Sequence, residues 1–253
     1  MSCPNLKNNK DKSIDLVNVC DKIPGIISIR INENLGTILI EYDTDVLQPL
    51  LIIGIILKKS KSETGRDILL LYEAISYAIK TCGGIPIGIN NSLEYLYICN
   101  GFIFQGGDDI ENEDLIFMKH ILNLNKPILC ICLGMQELGC LFGGTIAKAS
   151  KKHHSNLDKV HTVYINKNSK LYQIIGDDKI EVNSRHYDKL EYTSAYISAI
   201  SDDGTIEAIE IPNYKFGIGI QWHPENLIDI DGYSKSLFMA FINSCLEGEN
   251  EFK

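Results

Sequence analysis

The apolar positions of this chain form short unbroken runs that alternate with longer stretches of helical spacing. Leu50 to Leu57 is continuously apolar and short, as a strand covered on both faces must be. A helix is expected next, from Arg66 to about Thr81, with Ile68, Leu71, Tyr72, Ile75, Ala78 and Ile79 on one stripe and Gly83-Gly84 as its stop. Ile85 to Ile89 and Gly101 to Phe104 then read as strands, Glu113 to Leu124 as a helix, Pro127 to Ile131 as a strand and Gly134 to Phe142 as a helix. Strands alternating with helices imply right-handed crossovers and a parallel sheet. Ligands bind such sheets at the carboxyl edge of the strands. The Gly106-Gly107 turn and Cys132 both fall at that edge.

After Lys148 the runs become shorter and β-like: Val160 to Ile165, Ile180 to Asn183, Ala195 to Ser201, Thr205 to Ile211 and Phe216 to Gln221. An amphipathic helix from Tyr233 to Leu246 follows, with Tyr233, Phe238 and Phe241 as core residues. Before Leu50, Ile26 to Ile31 and Thr37 to Tyr42 flank Asn32-Glu-Asn-Leu-Gly36 and predict a hairpin. The organisation expected is an N-terminal extension over 1–48 (a disordered start, then the hairpin), a main domain over 49–247 and a frayed tail over 248–253.

Composition narrows the function classes. At 45% hydrophobic, 23% charged and a mean hydropathy of -0.02, the chain suits a soluble globular fold. Its 33 acidic against 24 basic residues leave a net charge of -9, which disfavours nucleic acid and anionic membranes as partners. The longest apolar run, Leu50 to Leu57, is too short to cross a bilayer. Met1 to Lys12 lacks the apolar run of a secretory signal. Its eight cysteines form neither a CxxC pair nor a metal-like spacing, so reduced thiols in the cytoplasm are expected, with no disulfide framework. His153-His154 with His161 lie on a polar stretch without acidic partners at ligand spacing and read as solvated loop histidines. No metal and no cofactor are therefore expected. Asp108-Asp109, Glu111, Glu113 and Asp114 read as solvated charges that favour the start of the following helix.

Chemistry concentrates at three places. Cys132, in Ile128-Leu-Cys-Ile-Cys132-Leu-Gly-Met-Gln136, sits where a buried strand turns sharply into a helix. Such an elbow exposes a nucleophile, and the helix N-terminus favours its thiolate. Gly134 removes a side chain where the turn is tightest. A cysteine nucleophile needs a base, and the base needs an orienting acceptor. His223 and Glu225, in Gln221-Trp-His-Pro-Glu225, supply both after the last central strand. Gly106 and Gly107 follow another strand and can offer unhindered N–H groups to an oxyanion, joined by the N–H of Leu133. Each piece alone has a bland reading: a buried thiol, a surface turn, a glycine turn.

Together they resemble the class I glutamine amidotransferase-like family, over about Leu50 to Ser244. The matching pieces are Gly83-Gly-Ile-Pro86, Gly101 to Asp109, Pro127 to Gly144, Val182-Asn-Ser-Arg-His186, Ser201-Asp-Asp-Gly-Thr-Ile-Glu-Ala208 and Gly217 to Glu225. The last three look most like the γ-glutamyl-γ-aminobutyrate hydrolase, or C26 peptidase-like, branch. The resemblance implies a flavodoxin-like, mainly parallel α/β sheet flanked by helices, to which the N-terminal β-hairpin would be an addition without a counterpart. It implies Cys132 as nucleophile, His223 as base and acid, Glu225 as its orienter, and Gly107 and Leu133 as oxyanion donors beside Gly106. Gln136 would help hold the α-amino-acid end of the substrate, and Asn183, Ser184 and His186 would line the pocket mouth.

Three positions and one stretch depart from the family pattern: Cys130 stands where Gly or Ala is usual, and Leu133 replaces an arginine common in the hydrolase branch, as in ammonia-transferring amidotransferases. Gln105 precedes the double glycine, and the stretch from Asp109 to Glu113 is short. The leading expectation is hydrolysis of a γ-glutamyl amide or glutamine through a thioester. The alternatives are a glutaminase subunit serving a separate synthase chain, and a non-catalytic binding protein that kept the fold. Self-association as a homodimer is the other partner considered.

Overall fold

In the computed structural model, residues 26–32, 37–42 and 50–246 are described, together with Asp11 and Val17, and the chain divides into two units, Met1–Leu50 and Leu51–Lys253. The expected disordered start, the hairpin turn at 33–36 and the tail at 247–253 lie outside the described residues. In the first unit, β1 (Ile26–Asn32) pairs antiparallel with β2 (Thr37–Tyr42), Asn32 opposite Thr37 and Ile31 opposite Ile38.

The second unit is built on a nine-stranded sheet. Its parallel strands are β3 (Ile52–Ile56), β6 (Ile85–Ile89), β7 (Gly101–Phe104), β8 (Ile128–Ile131) and β15 (Gly217–Ile220), in spatial order β15-β8-β7-β3-β6. Beyond β15 the sheet turns antiparallel through β14 (Ile206–Glu210), β13 (Tyr196–Ser201), β10 (His161–Ile165) and β11 (Lys179–Val182). The fold is thus a flavodoxin-like α/β sheet with a parallel core, extended by antiparallel strands.

The continuous apolar strands bury both faces, each with its own cluster. Ile53, Ile55, Leu129 and Ile131 face α1 (Glu73–Thr81), α5 (Lys170–Ile175) and α6 (Gly232–Leu246) through Ile75, Ile79, Leu171, Leu237, Phe238 and Phe241. Ile56, Phe102, Phe104 and Ile128 face α2 (Tyr95–Ile98), α3 (Asn112–Asn123) and α4 (Leu133–Leu141) through Leu96, Phe117, Met118, Ile121, Met135 and Leu138. At about 1.5–3 kcal/mol for each fully buried large side chain, this two-sided burial fixes the positions of the strand ends.

The expected helix from Arg66 is corrected. Asp67–Leu70 is a strand, β5, paired antiparallel with β4 (Lys58–Lys61), and α1 begins only at Glu73. A turn at Ser62-Glu-Thr-Gly65, with Gly65 at φ 77° and the Ser62 hydroxyl accepting from the Arg66 N–H at 3.0 Å, joins the two strands. Ile68 and Leu69 are exposed on this ribbon, so the helical stripe through Ile68 was a coincidence of spacing. A second short ribbon pairs β9 (Thr145–Lys148) with β12 (Asp188–Tyr192) and sets Lys148 opposite Asp188.

Candidate active site

β8 and β15 run side by side and parallel, with Ile131 opposite Ile220, so the residues after each emerge at one sheet edge. Past β8 the backbone turns at Cys132, whose φ of 53° and ψ of -105° place a side-chain-bearing residue in a sparsely populated region. Two hydrogen bonds hold it there: Cys132 N–H donates to Ile220 O at 2.7 Å, and Gln136 N–H donates to Cys132 O at 3.2 Å. A Cβ on Gly134 would come within 2.3 Å of the Phe104 carbonyl oxygen, so only glycine lets the elbow seat against β7.

Past β15, Asn183 clasps the backbone of His223 at two points. Its Nδ2 donates to His223 O and its Oδ1 accepts from His223 N, both at 2.8 Å. His223 Nδ1 lies 2.7 Å from Glu225 Oε1, in the short 3-10 turn Pro224–Asn226. With Nδ1–H committed to the carboxylate, the other ring nitrogen is left for the Cys132 thiol, which lines the same cavity. Burial works against charge on this ring, but Glu225 and Cys132 outweigh it and hold the imidazole well above its ordinary value. Cys130 differs: burial, with Glu137 nearby, pushes its thiol well above the usual range, and it lies in the core on the other sheet face.

The elbow opens into a cavity of about 570 Å³. Of the residues expected at the site, Gly106, Gly107, Cys132, Gln136, His186, His223 and Glu225 line it. A Cβ on Gly106 would stand 3.2 Å from His223 Cε1, so that glycine lies directly beside the ring. Leu133 does not line the cavity; as the first residue of α4, its N–H has no acceptor within the helix. Asn183 and Ser184 are wholly buried rather than at the pocket mouth. Gln136 donates to Asp188 O at 2.9 Å and to Gln221 Oε1 at 3.1 Å, while Gln221 Nε2 donates to the Cys132 sulfur at 3.6 Å.

Several wall residues were not expected at the site: Lys148, Arg185, Tyr187, Asp188 and Tyr72, which had been placed on a helical stripe. Arg185 and Lys148 bring positive charge, Asp108, Asp109 and Asp188 negative. Gln105, singled out only as unusual, is wholly buried: its Nε2 donates to Ile56 O and Leu70 O at 2.8 and 2.9 Å, and its Oε1 accepts from Tyr72 N at 3.0 Å. It thereby fixes Tyr72 at the cavity edge.

The acidic run is not uniformly solvated. Glu111 and Glu113 pair with Lys59, whereas Asp114 is buried against Lys58 Nζ at 2.5 Å, which also reaches Glu137 Oε1 at 2.7 Å. Burial pushes Glu137 up to about 8 against the pull of Lys58.

The loop-histidine reading is also corrected. His153 is wholly buried, the His161 side chain is 5% exposed, and both meet His186 and the buried Glu207; His154 alone of the three is exposed. The acidic partners lie some 50 residues further along the chain, which is why local ligand spacing did not reveal them.

The Peptidase C26 family profile matches residues 111–225, and a second profile, heavy metal associated domain 2, matches residues 1–82. The fold and the first match define a hydrolytic amidase. A glutamine amidotransferase of Schizosaccharomyces pombe is 32% identical over 204 residues, 66% of this chain and 79% of the relative. The γ-glutamyl-γ-aminobutyrate hydrolase of Escherichia coli is 26% identical over 237 residues, 77% of this chain and 93% of the relative. Among solved structures, a GMP synthase subunit from Thermoplasma acidophilum superposes with a TM-score of 0.61 at 20% identity, covering 79% of this chain and 97% of that one. The chain belongs to the class I glutamine amidotransferase-like family, in its peptidase C26 branch.

Proposed function

We propose that this protein hydrolyses γ-glutamyl amides through a γ-glutamyl thioester on Cys132 and releases the amine or ammonia as a free product. The observation that carries the reading is the His223 ring, 2.7 Å from Glu225 Oε1 and lining one cavity with Cys132. The Cys132 thiolate attacks the γ-carbonyl carbon, and the resulting oxyanion takes hydrogen bonds from Gly107 and Leu133 N–H. The C–N bond breaks as His223 protonates the leaving nitrogen. Water then attacks the thioester with His223 taking its proton, giving glutamate and restoring the thiolate. The mixed-sign wall suits the ammonium and carboxylate of a glutamyl group. The E. coli relative, a γ-glutamyl-γ-aminobutyrate hydrolase, favours an amine-bearing substrate. Turnover of γ-glutamyl amides in excess of glutamine, with no second protein added, is the expected result; glutamine turnover only with an added partner would reverse it.

Leu133 favours a second reading, in which glutamine is the substrate and ammonia passes to a synthase on another chain. Its marker is a low basal glutaminase activity that a copurifying protein raises.

Two predictions belong to this reading. The alkaline limb of the pH profile, where His223 loses the proton needed by the leaving group, is expected above the ordinary imidazole value of 6.5. Glu225→Gln removes the carboxylate that holds this proton, so the limb shifts to lower pH and kcat falls by roughly 10²–10⁴-fold. An unmoved limb would remove Glu225 from its orienting role. Arg185 lines the cavity with Lys148 and supplies the positive charge that a substrate carboxylate needs. Arg185→Ala is expected to raise KM roughly tenfold with kcat changed less than about twofold in steady-state assays.

A further inference from the structure

Two segments that the sequence singles out, Val182 to His186 and Ser201 to Ala208, contribute His186 and Glu207, which take no bond-making or proton-transfer step in the chemistry proposed for Cys132. Both meet His153 and His161, and one potential ligand atom from each of the four residues lies within 4.8 Å of every other. Glu207 Oε1 stands 3.4 Å from His161 Nε2, 3.5 Å from His153 Nδ1 and 4.0 Å from His186 Nε2. These gaps are wide for hydrogen bonds, and Glu207 Oε1, Glu207 Oε2, His161 Nε2 and His186 Nε2 are all buried without a hydrogen-bond partner among the described residues. Four ligands at about 2.0–2.1 Å from a tetrahedral zinc ion are spaced by about 3.3 Å, close to the shorter of these distances.

The outward nitrogens are committed. His153 Nε2 faces Asp203 Oδ2 at 3.1 Å, His186 Nδ1 faces Asp188 O at 2.8 Å and His161 Nδ1 faces Thr162 O at 3.4 Å. Each acceptor selects the tautomer that leaves a lone pair on the inward nitrogen, the arrangement that orients metal-ligating histidines. Asp203 is itself held by the Ser201 hydroxyl at 2.6 Å and Thr205 N–H at 3.1 Å. The Ser184 hydroxyl donates to His153 O at 2.9 Å, so its oxygen stands 3.3 Å from His153 Nδ1 as the one competing contact.

We propose that His153, His161, His186 and Glu207 bind one zinc ion in a closed structural site. Three neutral imidazoles and one carboxylate suit zinc, and four buried protein ligands leave no open position for catalysis. Glu207 and the second-layer Asp203 together balance its two positive charges. The ion ties β10 and β14 to the segment 183–188, which clasps His223 through Asn183 and carries His186, Tyr187 and Asp188 to the cavity. The site is independent of the chemistry proposed for Cys132 and lies outside the residues 1–82 matched by the heavy metal associated profile.

The test is elemental analysis of the full chain, made in zinc-supplemented medium and purified without chelator. About one zinc per chain is expected. Protein stripped by a chelator and refilled with Co²⁺ should show the visible absorption of tetrahedral cobalt, and zinc should raise the melting temperature of the stripped protein. Glu207→Gln is expected to lose at least about 100-fold in zinc affinity, whereas His154→Ala, next to a ligand but exposed, keeps it. Should Glu207→Gln fail to fold, the zinc content and cobalt spectrum of the wild type decide alone. Protein without stoichiometric zinc that gives no cobalt spectrum and no thermal shift would overturn the site.

Discussion

Cys132→Ala is expected to lower hydrolysis of a γ-glutamyl amide by at least about 10⁴-fold while the melting temperature stays within a few degrees of wild type. Removing a nucleophile from a triad leaves only the contribution of oxyanion donors and binding. The structure supplies the reason that stability is spared: the side chain lost is one thiol, and alanine relieves none of the backbone bonds from Ile220 and Gln136 that hold the elbow. A glutamine-like electrophile provides an independent readout, since mass mapping should find its adduct on Cys132 and not on the fully buried Cys130. Equal turnover by variant and wild type, or an adduct on Cys130, would remove the proposed mechanism.

The largest effect on stability is expected at Lys58, whose stem packs behind Gly107. Lys58→Met leaves Asp114 and Glu137 buried against each other without their cation, with Asn91 Nδ2, 2.6 Å from Asp114 Oδ1, as the remaining donor. Breaking a buried ion pair from one side costs about 3–5 kcal/mol, a fall of roughly 10 °C in melting temperature for a unit of this size. The triple replacement Lys58→Met with Asp114→Asn and Glu137→Gln should recover part of that loss, because amides need no counter-charge. Thermal unfolding of the two variants against wild type checks this, and no loss in Lys58→Met would mean that solvent reaches the trio.

Much of this architecture was legible along the chain. The strands of the parallel core read directly because a strand buried on both faces must be apolar without interruption, as Ile52 to Ile56 and Ile128 to Ile131 are. That Cys132 follows β8, and His223 and Glu225 follow β15, was legible for the same reason. What stayed hidden was polar or distant. β4, β9 and β12 are short, half-exposed ribbons such as Lys-Lys-Ser-Lys, with no periodic signal to distinguish them from loops. The stripe through Ile68 misled because four consecutive apolar residues, Ile68 to Leu71, satisfy helix and strand spacing alike. Lys58, Glu137, His153 and Glu207 were opaque for another reason. A buried charge looks like a surface charge until the partner that neutralises it, many residues away, is brought beside it.

The placement of β15 between β8 and β14 has a consequence for how the chain is made. Residues 217–220 leave the ribosome long after β3, β6, β7 and β8 can pair, so β8 presents a bare, hydrophobic edge to solvent or to a chaperone throughout that interval. The last strand to enter the sheet is also the one that delivers His223, and a nascent chain stalled before it exposes both a sticky edge and an unescorted thiol.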